Sequence, residues 1–315
     1  MSRPALRSDV PLRAYTTFGI GGPARLFADV RSSGHLLDAL LWARRQELPH
    51  VVLGRGSNVL VADDGYAGLV IRNACSDRVE LLAGNRVRAD SGLTVARLIA
   101  FTAERGLAGL EHFAGIPSTL GGALWQNLHF LATDRRRLAF VGDLVEAATV
   151  LVDGTVERVD RDWFEFGYDA GRLRDGAAIV LDATLRLRPA DSALLRATVR
   201  ANLAWRAERH PPLAARRSAG CVFRNPDGVH AARAIDAAGL KGLRVGGAAV
   251  SRRHANFILN TGGASAADVR ALIELVTERV HAHSGLRLEP EIAFLGSHPR
   301  TKDGGKVPSA PVDAP

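Results

Sequence analysis

An α/β (α+β) protein in two parts is what this sequence predicts, on three observations. Strand and helix signals alternate along most of the chain, two short hairpin signals punctuate them, and a strand ending at Pro189 followed by a long helix marks a boundary near residue 190. With 315 residues, 47% of them hydrophobic, the chain is too long for one small core and too apolar for disorder. Parts of this size bury roughly 70% of the surface their unfolded chains expose, so no staple is required.

In order, Leu36, Leu37, Leu40 and Leu41 recur at helical spacing, and the strand Val51–Leu53 follows. That strand runs into the turn Gly54-Arg-Gly56-Ser57-Asn58 and further β-like sequence to Ile71. Val79–Ala89, with Gly84-Asn85 in its middle, reads as a hairpin, as does Val150–Val159 around Asp153-Gly154. Between them, Thr94–Arg105 is a helix closed by Gly106. Ile179–Leu187 is a strand, and the helix Ser192–Arg209 stops at Pro211-Pro212. Beyond it, His230–Ala238 is helical and Gly239–Asn260 is glycine-punctuated with short β stretches. Ser265-Ala-Ala-Asp268 then opens a helix that runs to about Val280. The strand Ile292–Leu295 precedes a tail, 298–315, rich in Pro, Gly and polar residues and expected to be disordered. There are no internal repeats.

Lys plus Arg outnumber Asp plus Glu, 41 to 33, but the basic residues are spread along the whole chain. This favours small anionic ligands over nucleic acid. Cys75 and Cys221 are too few for a disulfide framework or a zinc site and point to a reducing compartment; no metal is expected. No apolar run reaches the roughly 18 residues of a spanning helix, and the N-terminus lacks a signal-peptide core, so the chain reads as cytosolic, without a membrane partner. Lysine occurs only at Lys241, Lys302 and Lys306. The last two lie in the tail, which singles out Lys241 in a chain that otherwise writes its cations as Arg.

The turn Gly54-Arg55-Gly56-Ser57-Asn58 lacks the third glycine of a dinucleotide fingerprint, and no long helix follows it, which disfavours a Rossmann site. Its glycines still let backbone N–H groups approach an anion, with Ser57 and Asn58 adding hydrogen bonds; a plain tight turn is the alternative. A second loop, Ala114-Gly115-Ile116-Pro117-Ser118-Thr119-Leu-Gly121-Gly122-Ala123, packs small residues, hydroxyls and a fixed proline together. Such a loop can wrap a pyrophosphate or slide along a flat ring. A third, Phe18-Gly19-Ile-Gly21-Gly22-Pro23-Ala24, opens the chain. Three such loops favour a large, phosphate-bearing cofactor.

Seven segments then carry a resemblance. Thr17-Phe-Gly-Ile-Gly-Gly-Pro23, Gly54-Arg-Gly-Ser-Asn58, Gly109-Leu-Glu-His-Phe-Ala-Gly-Ile-Pro117 and Ser218-Ala-Gly-Cys-Val-Phe-Arg-Asn-Pro226 come first. Gly239-Leu-Lys-Gly242, Val250-Ser-Arg-Arg-His-Ala-Asn-Phe257 and Leu288-Glu-Pro-Glu-Ile292 follow. In this order, over roughly residues 11–296, they resemble the UDP-N-acetylenolpyruvoylglucosamine reductase (MurB) family, in its compact form. The resemblance implies an FAD-binding domain of the vanillyl-alcohol-oxidase (PCMH-like) type over 1–190, divided near residue 72, and a smaller α/β substrate domain over 191–297. It also implies non-covalent FAD and NADPH-dependent reduction of an enolpyruvyl ether on a UDP-sugar to the lactyl ether, a step of peptidoglycan precursor synthesis. No protein partner follows from it.

In that family NADPH reduces the flavin and leaves, and the enolpyruvyl substrate then takes hydride at C3. The charge that develops on C2 and its carboxylate needs stabilising groups and a proton donor. Carried over by position, the resemblance makes Cys221 the donor and Glu291 its assistant, with Gly54–Asn58, Gly115–Thr119, Gly121 and Gly122 around the cofactor. Tyr168, Asn225 and Lys241 are the substrate-binding residues, Lys241 as a point charge for a diphosphate. Cys75 has no motif support and reads as structural, Glu289 reads as a solvated carboxylate, and His281 and His283 read as helix-end surface residues. His254 and Asn256 lie in a matched segment as either ligand contacts or loop supports.

Two departures stand out. Leu128-His-Phe-Leu131 replaces the family's Ala-Gly-Ala-Tyr-Gly after Asn127, and Asp169 follows Tyr168 where the family has an arginine for the enolpyruvyl carboxylate. An anion there opposes the chemistry, so Arg172 or Arg174 is expected to reach in, or activity is altered. Two rival readings are a related flavin oxidase or dehydrogenase acting on another sugar or alcohol and a basic nucleic-acid binder. The segments after residue 218 argue against the first, and the absence of clustered arginines interleaved with aromatics argues against the second.

Overall fold

The computed structural model describes residues 3–132, 134–176, 178–212, 217–226 and 229–297. The expected disorder of 298–315 lies outside the described residues.

The first layer is a four-stranded sheet in the order Arg7–Pro11, Pro23–Val30, Tyr66–Asn73, His50–Leu53. The first pair is antiparallel, and Tyr66–Asn73 runs parallel to both of its neighbours. The third glycine loop therefore ends in a strand: Pro23 already pairs with Pro11. Helix α1 (Ser33–Arg45) covers this sheet. Ser32 caps it by accepting from the His35 amide, and Leu36, Ala39, Leu40 and Ala43 form the buried stripe that the leucine spacing predicts.

The second layer is a five-stranded antiparallel sheet in the order Thr155–Asp160, Val145–Val152, Ala178–Arg186, Arg86–Asp90, Val79–Leu82. Both predicted hairpins are edge pairs of this sheet. Their turns place Gly84 and Asn85, and Asp153 and Gly154, at positive φ, the mirror-image turn geometry that matches strand twist. Against the sheet lie α2 (Val95–Glu104), capped by Thr94, and α3 (Leu120–Gln126), capped by Thr119. Helix α3 is a correction to the reading of Ala114–Ala123 as one open loop. Gly121 and Gly122 weaken helix propensity, but Leu120, Ala123 and Leu124 bury in the core shared with Leu98 and Val180, and that packing decides the conformation.

Helix α4 (Ser192–Arg209), capped by Asp191, packs on α2 and the turn Glu111–Phe113. Its buried Asn202 donates to the Glu111 carbonyl at 2.8 Å. His210, before the proline pair, is already extended. Beyond it, α5 (Ala231–Ala237) and α6 (Ala266–Ser284) enclose a core of residues such as Val222, Ile235, Val250, Val269 and Val276 with a three-stranded sheet, Arg244–Val245, Ala248–Val250, Ile258–Asn260. The Ser265/Asp268 capping box is present, and α6 continues past Val280 to Ser284 before Gly285 ends it at φ +72. The final strand, Ala293–Leu295, returns to pair in parallel with Val59–Val61. This pairing carries Glu291 back beside Asn58. Among the described residues no helix is long and apolar enough to cross a membrane.

Candidate active site

One cavity of about 1460 Å³ collects nearly every predicted site residue. Gly54–Asn58, Gly115–Thr119, Gly121 and Gly122 line it together with Tyr168, Cys221, Asn225 and Glu291. A Cβ added to Gly54 would come 2.7 Å from Thr119 Oγ1, so the two glycine loops abut directly. Two of the features singled out by the sequence lie outside this wall. The loop Gly19–Gly22 faces a separate, smaller cavity beside Asp63 and Arg217. Lys241 is not part of the main cavity wall; its ammonium is ion-paired to Asp236 at 2.6 Å. Gly56 is required by the fold: at φ +60, a Cβ would come 2.2 Å from the Tyr15 carbonyl oxygen.

That geometry makes Gly56→Val a structural lesion. A β-branched residue at positive φ, driven into backbone, is expected to cost about 3 kcal/mol or more and to lower flavin content through the displaced Tyr15–Thr17 segment. Thermal unfolding and bound-flavin content measure it; a variant with unchanged melting and full flavin would refute the assignment.

Gln126, at the end of α3, ties the site together. Its side-chain oxygen accepts from Asn58 Nδ2 at 3.0 Å, and its Nε2 donates to Glu291 Oε1 at 2.8 Å and Asp169 Oδ1 at 3.3 Å. Asp169 sits at φ +47 and is 1% exposed, with Oδ2 unpartnered. Burial, and next the Asp169 charge, push Glu291 up to about 8. Burial and Glu291 raise the Cys221 thiol, against the opposing pull of the Arg206 cation. Burial also raises the Tyr168 phenol, whose oxygen accepts from Asn225 Nδ2 at 3.4 Å.

Between the two arginines near Asp169 the structure discriminates. Arg172 turns away to pair with Glu165 and lie over Trp163. Arg174 enters the cavity wall over Trp125, 4.6 Å from the ring centroid, with Nη1 and Nη2 both buried and unpartnered. Arg224 donates to the Asp169 carbonyl at 3.3 Å. Asn256 is fully engaged with backbone: its oxygen accepts from the Phe223 amide and its Nδ2 donates to the Phe223 carbonyl, so it supports the Cys221 loop. His254 lines the cavity, with its basicity lowered chiefly by burial and by Lys241.

Sequence reasoning missed Gln126, Arg135 and Arg206 as site residues. Gln126 gave only the weak signal of a polar residue ending the apolar run Ala123-Leu-Trp125. The two arginines gave no local signal in a chain so rich in arginine. Among the described residues no cluster of three or more His, Cys, Asp or Glu side chains could hold a metal ion.

Residues 24–160 match the profile of an FAD binding domain, and residues 211–295 match that of the UDP-N-acetylenolpyruvoylglucosamine reductase C-terminal domain. The UDP-N-acetylenolpyruvoylglucosamine reductase of Rubrobacter xylanophilus is 41% identical over 294 residues, covering 93% of this chain and 96% of that protein. The protein of the same name from Parasynechococcus marenigrum is 40% identical, with 94% and 97% covered. The crystal structure of UDP-N-acetylenolpyruvylglucosamine reductase (MurB) from Thermus caldophilus superposes with a TM-score of 0.77 at 34% identity, over 93% of this chain and all of that one. Identity at this level, sustained across both parts and with the same fold, makes this chain a member of the UDP-N-acetylenolpyruvoylglucosamine reductase (MurB) family.

Proposed function

We propose that the protein is an FAD-dependent reductase that uses NADPH to convert the enolpyruvyl ether of a UDP-sugar, UDP-N-acetylenolpyruvoylglucosamine, to its lactyl ether. The observation that carries this reading is the convergence of Cys221, Glu291 and both glycine loops on one cavity. At about 1460 Å³ the cavity exceeds the roughly 300–1,000 Å³ of a single-ligand pocket, so a large cofactor and a substrate fit together.

The residues present suit FAD. Two abutting glycine loops leave backbone and the hydroxyls of Ser57 and Ser118 in the wall, where backbone N–H groups can approach a pyrophosphate. FAD, when bound non-covalently, supplies the hydride carrier that NADPH reduces and the enolpyruvyl group reoxidises.

The chain supplies the rest. Cys221 gives its proton to C2 as hydride reaches C3. Glu291, held by Gln126, supports that transfer. Arg174 takes the place of the arginine absent at position 169: its free Nη donors suit the substrate carboxylate and the charge growing on it. Tyr168 and Asn225 line the substrate side. The two free cysteines and the demand for NADPH fit a cytoplasmic enzyme.

The test is anaerobic. NADPH should bleach the flavin spectrum of the purified protein, and the enolpyruvyl UDP-sugar should restore it. A flavin that NADPH leaves oxidised, or that only another sugar or alcohol couple turns over, would overturn the reading.

A further inference from the structure

Lys241 is ion-paired to Asp236, and two further cations suited to a phosphate-bearing ligand are built into the cavity wall. Arg135 lies in the segment joining the paired strands His129–Leu131 and Leu138–Phe140, and Arg206 lies in the last turn of α4; both line the cavity. Each guanidinium is seated on an aromatic ring. Arg135 lies 4.5 Å from the Trp205 centroid and Arg206 lies 4.2 Å from that of Phe130, and these two rings meet edge to face.

The seats are rigid. Arg135 Nη2 donates to Asn202 Oδ1 at 2.5 Å, and the other end of that amide is fixed on the Glu111 carbonyl. Yet Nη1 of Arg135 and Nη1 of Arg206 are both buried without a hydrogen-bond partner. Burial and the neighbouring Arg135 bring Arg206 down to about 10, which leaves it charged at neutral pH, while burial and Arg206 hold His210 neutral, at about 3. Arg136 and Arg137 continue the positive edge as exposed cavity residues.

Two fixed cations with unused donors and no carboxylate against either among the described residues repel one another in a wall poorly screened by water. An oxyanion that accepts from both removes the repulsion and fills both vacant donors, and a planar guanidinium matches the spacing of phosphate oxygens.

We propose that Arg135 and Arg206 form a phosphate clamp that binds the diphosphate or phosphate group of a nucleotide entering the cavity beside Gly115, against which Arg206 packs. The clamp rests on the reading that nucleotides enter this cavity. Two sources share its chemistry, the diphosphate of a UDP-sugar and the phosphates of the nicotinamide dinucleotide.

The experiment titrates the FAD-loaded protein with UDP, uridine and NADPH. Arg135→Gln, in a peripheral hairpin, is expected to keep its flavin and to weaken either UDP or NADPH by tenfold or more, while uridine changes by less than about twofold. Arg135→Lys should recover part of the loss, and wild-type UDP affinity should fall as salt is raised. Arg206→Gln should show the same selective loss, read by binding alone because Arg206 also faces Cys221. Loss confined to UDP assigns the clamp to the sugar nucleotide, and loss confined to NADPH assigns it to the dinucleotide. Unchanged affinity for both, equal weakening of uridine, or loss of flavin would overturn the clamp. A wild-type protein that turns over the enolpyruvyl substrate while Arg135→Gln binds normally would refute the clamp and leave the proposed reaction standing. A wild-type protein that binds NADPH through Arg135 but no UDP would do the reverse.

Discussion

Alanine in place of Cys221 is expected to slow reoxidation of the flavin by the enolpyruvyl substrate by about 100-fold or more, while bleaching by NADPH keeps its wild-type rate. The thiol's backbone is pinned on both sides. Cys221 bridges Phe257, and the next amide, Val222 N–H, bonds the Asn256 carbonyl at 2.8 Å, so removing one sulfur should leave the loop in place. Burial holds the thiol protonated at neutral pH, and the Arg206 cation stands by to stabilise the thiolate that donation leaves behind. On the proposed mechanism only the step that places a proton on C2 needs this group. Cys221→Ser should be intermediate: an alcohol is a far weaker acid than a thiol and leans harder on Glu291. Stopped-flow measurement of both half-reactions decides the matter. Equal slowing of the two would make Cys221 a structural residue, and unchanged reoxidation would remove it from the chemistry.

What the sequence discloses and what it conceals follow from the range of the forces involved. Helix α1 was legible because its leucines repeat at the helical period. The two hairpins were legible because Gly84-Asn85 and Asp153-Gly154 are suited to the positive φ angles that their turns need. These are local signals. Helix α3 was not legible, because paired glycines argue against a helix and only burial of Leu120 and Leu124 against distant strands overrules them. The site shows the same division. Its glycine loops and the Cys221 segment stood out as motifs, but Gln126 acts through partners 68 and 165 residues away. Lys241 stood out through composition and a matched segment, while its pairing with Asp236 at 2.6 Å is a contact that only the fold discloses. Arg135 and Arg206 acquire meaning only when Trp205 and Phe130 seat them on one wall.

Asp169 is the deepest departure from the family pattern, and its surroundings define the last prediction. It adds a negative charge next to Glu291, where the family has an arginine, and Gln126 holds both carboxyl groups with one amide nitrogen. The groups facing the pair are Arg174, Arg224, Tyr168, Cys221 and His129, whose Nδ1 lies 3.8 Å from Asp169. Burial lowers the basicity of His129, so it brings no strong countercharge. The two arginines and the Gln126 amide favour ionisation of Glu291, but burial and Asp169 prevail and take it from an ordinary 4.5 to about 8. Between those values the folded protein holds a proton that the unfolded chain releases. The associated stability is therefore full below about 4.5 and is lost as pH rises through about 8. On the proposed mechanism the same proton supports the transfer to C2, so the reoxidation rate should fall on the alkaline side of about 8. Glu291→Gln is expected to cut reoxidation at neutral pH by about 100-fold or more and to erase that alkaline limb. Asp169→Asn should move the limb down by about one pH unit, because removing the like charge lets Glu291 ionise earlier. Rate–pH profiles of the reoxidation step in the three proteins test this directly. A limb that stays in place in Asp169→Asn would show that burial alone holds the Glu291 proton, and a limb that persists in Glu291→Gln would assign it to the Cys221 thiol instead.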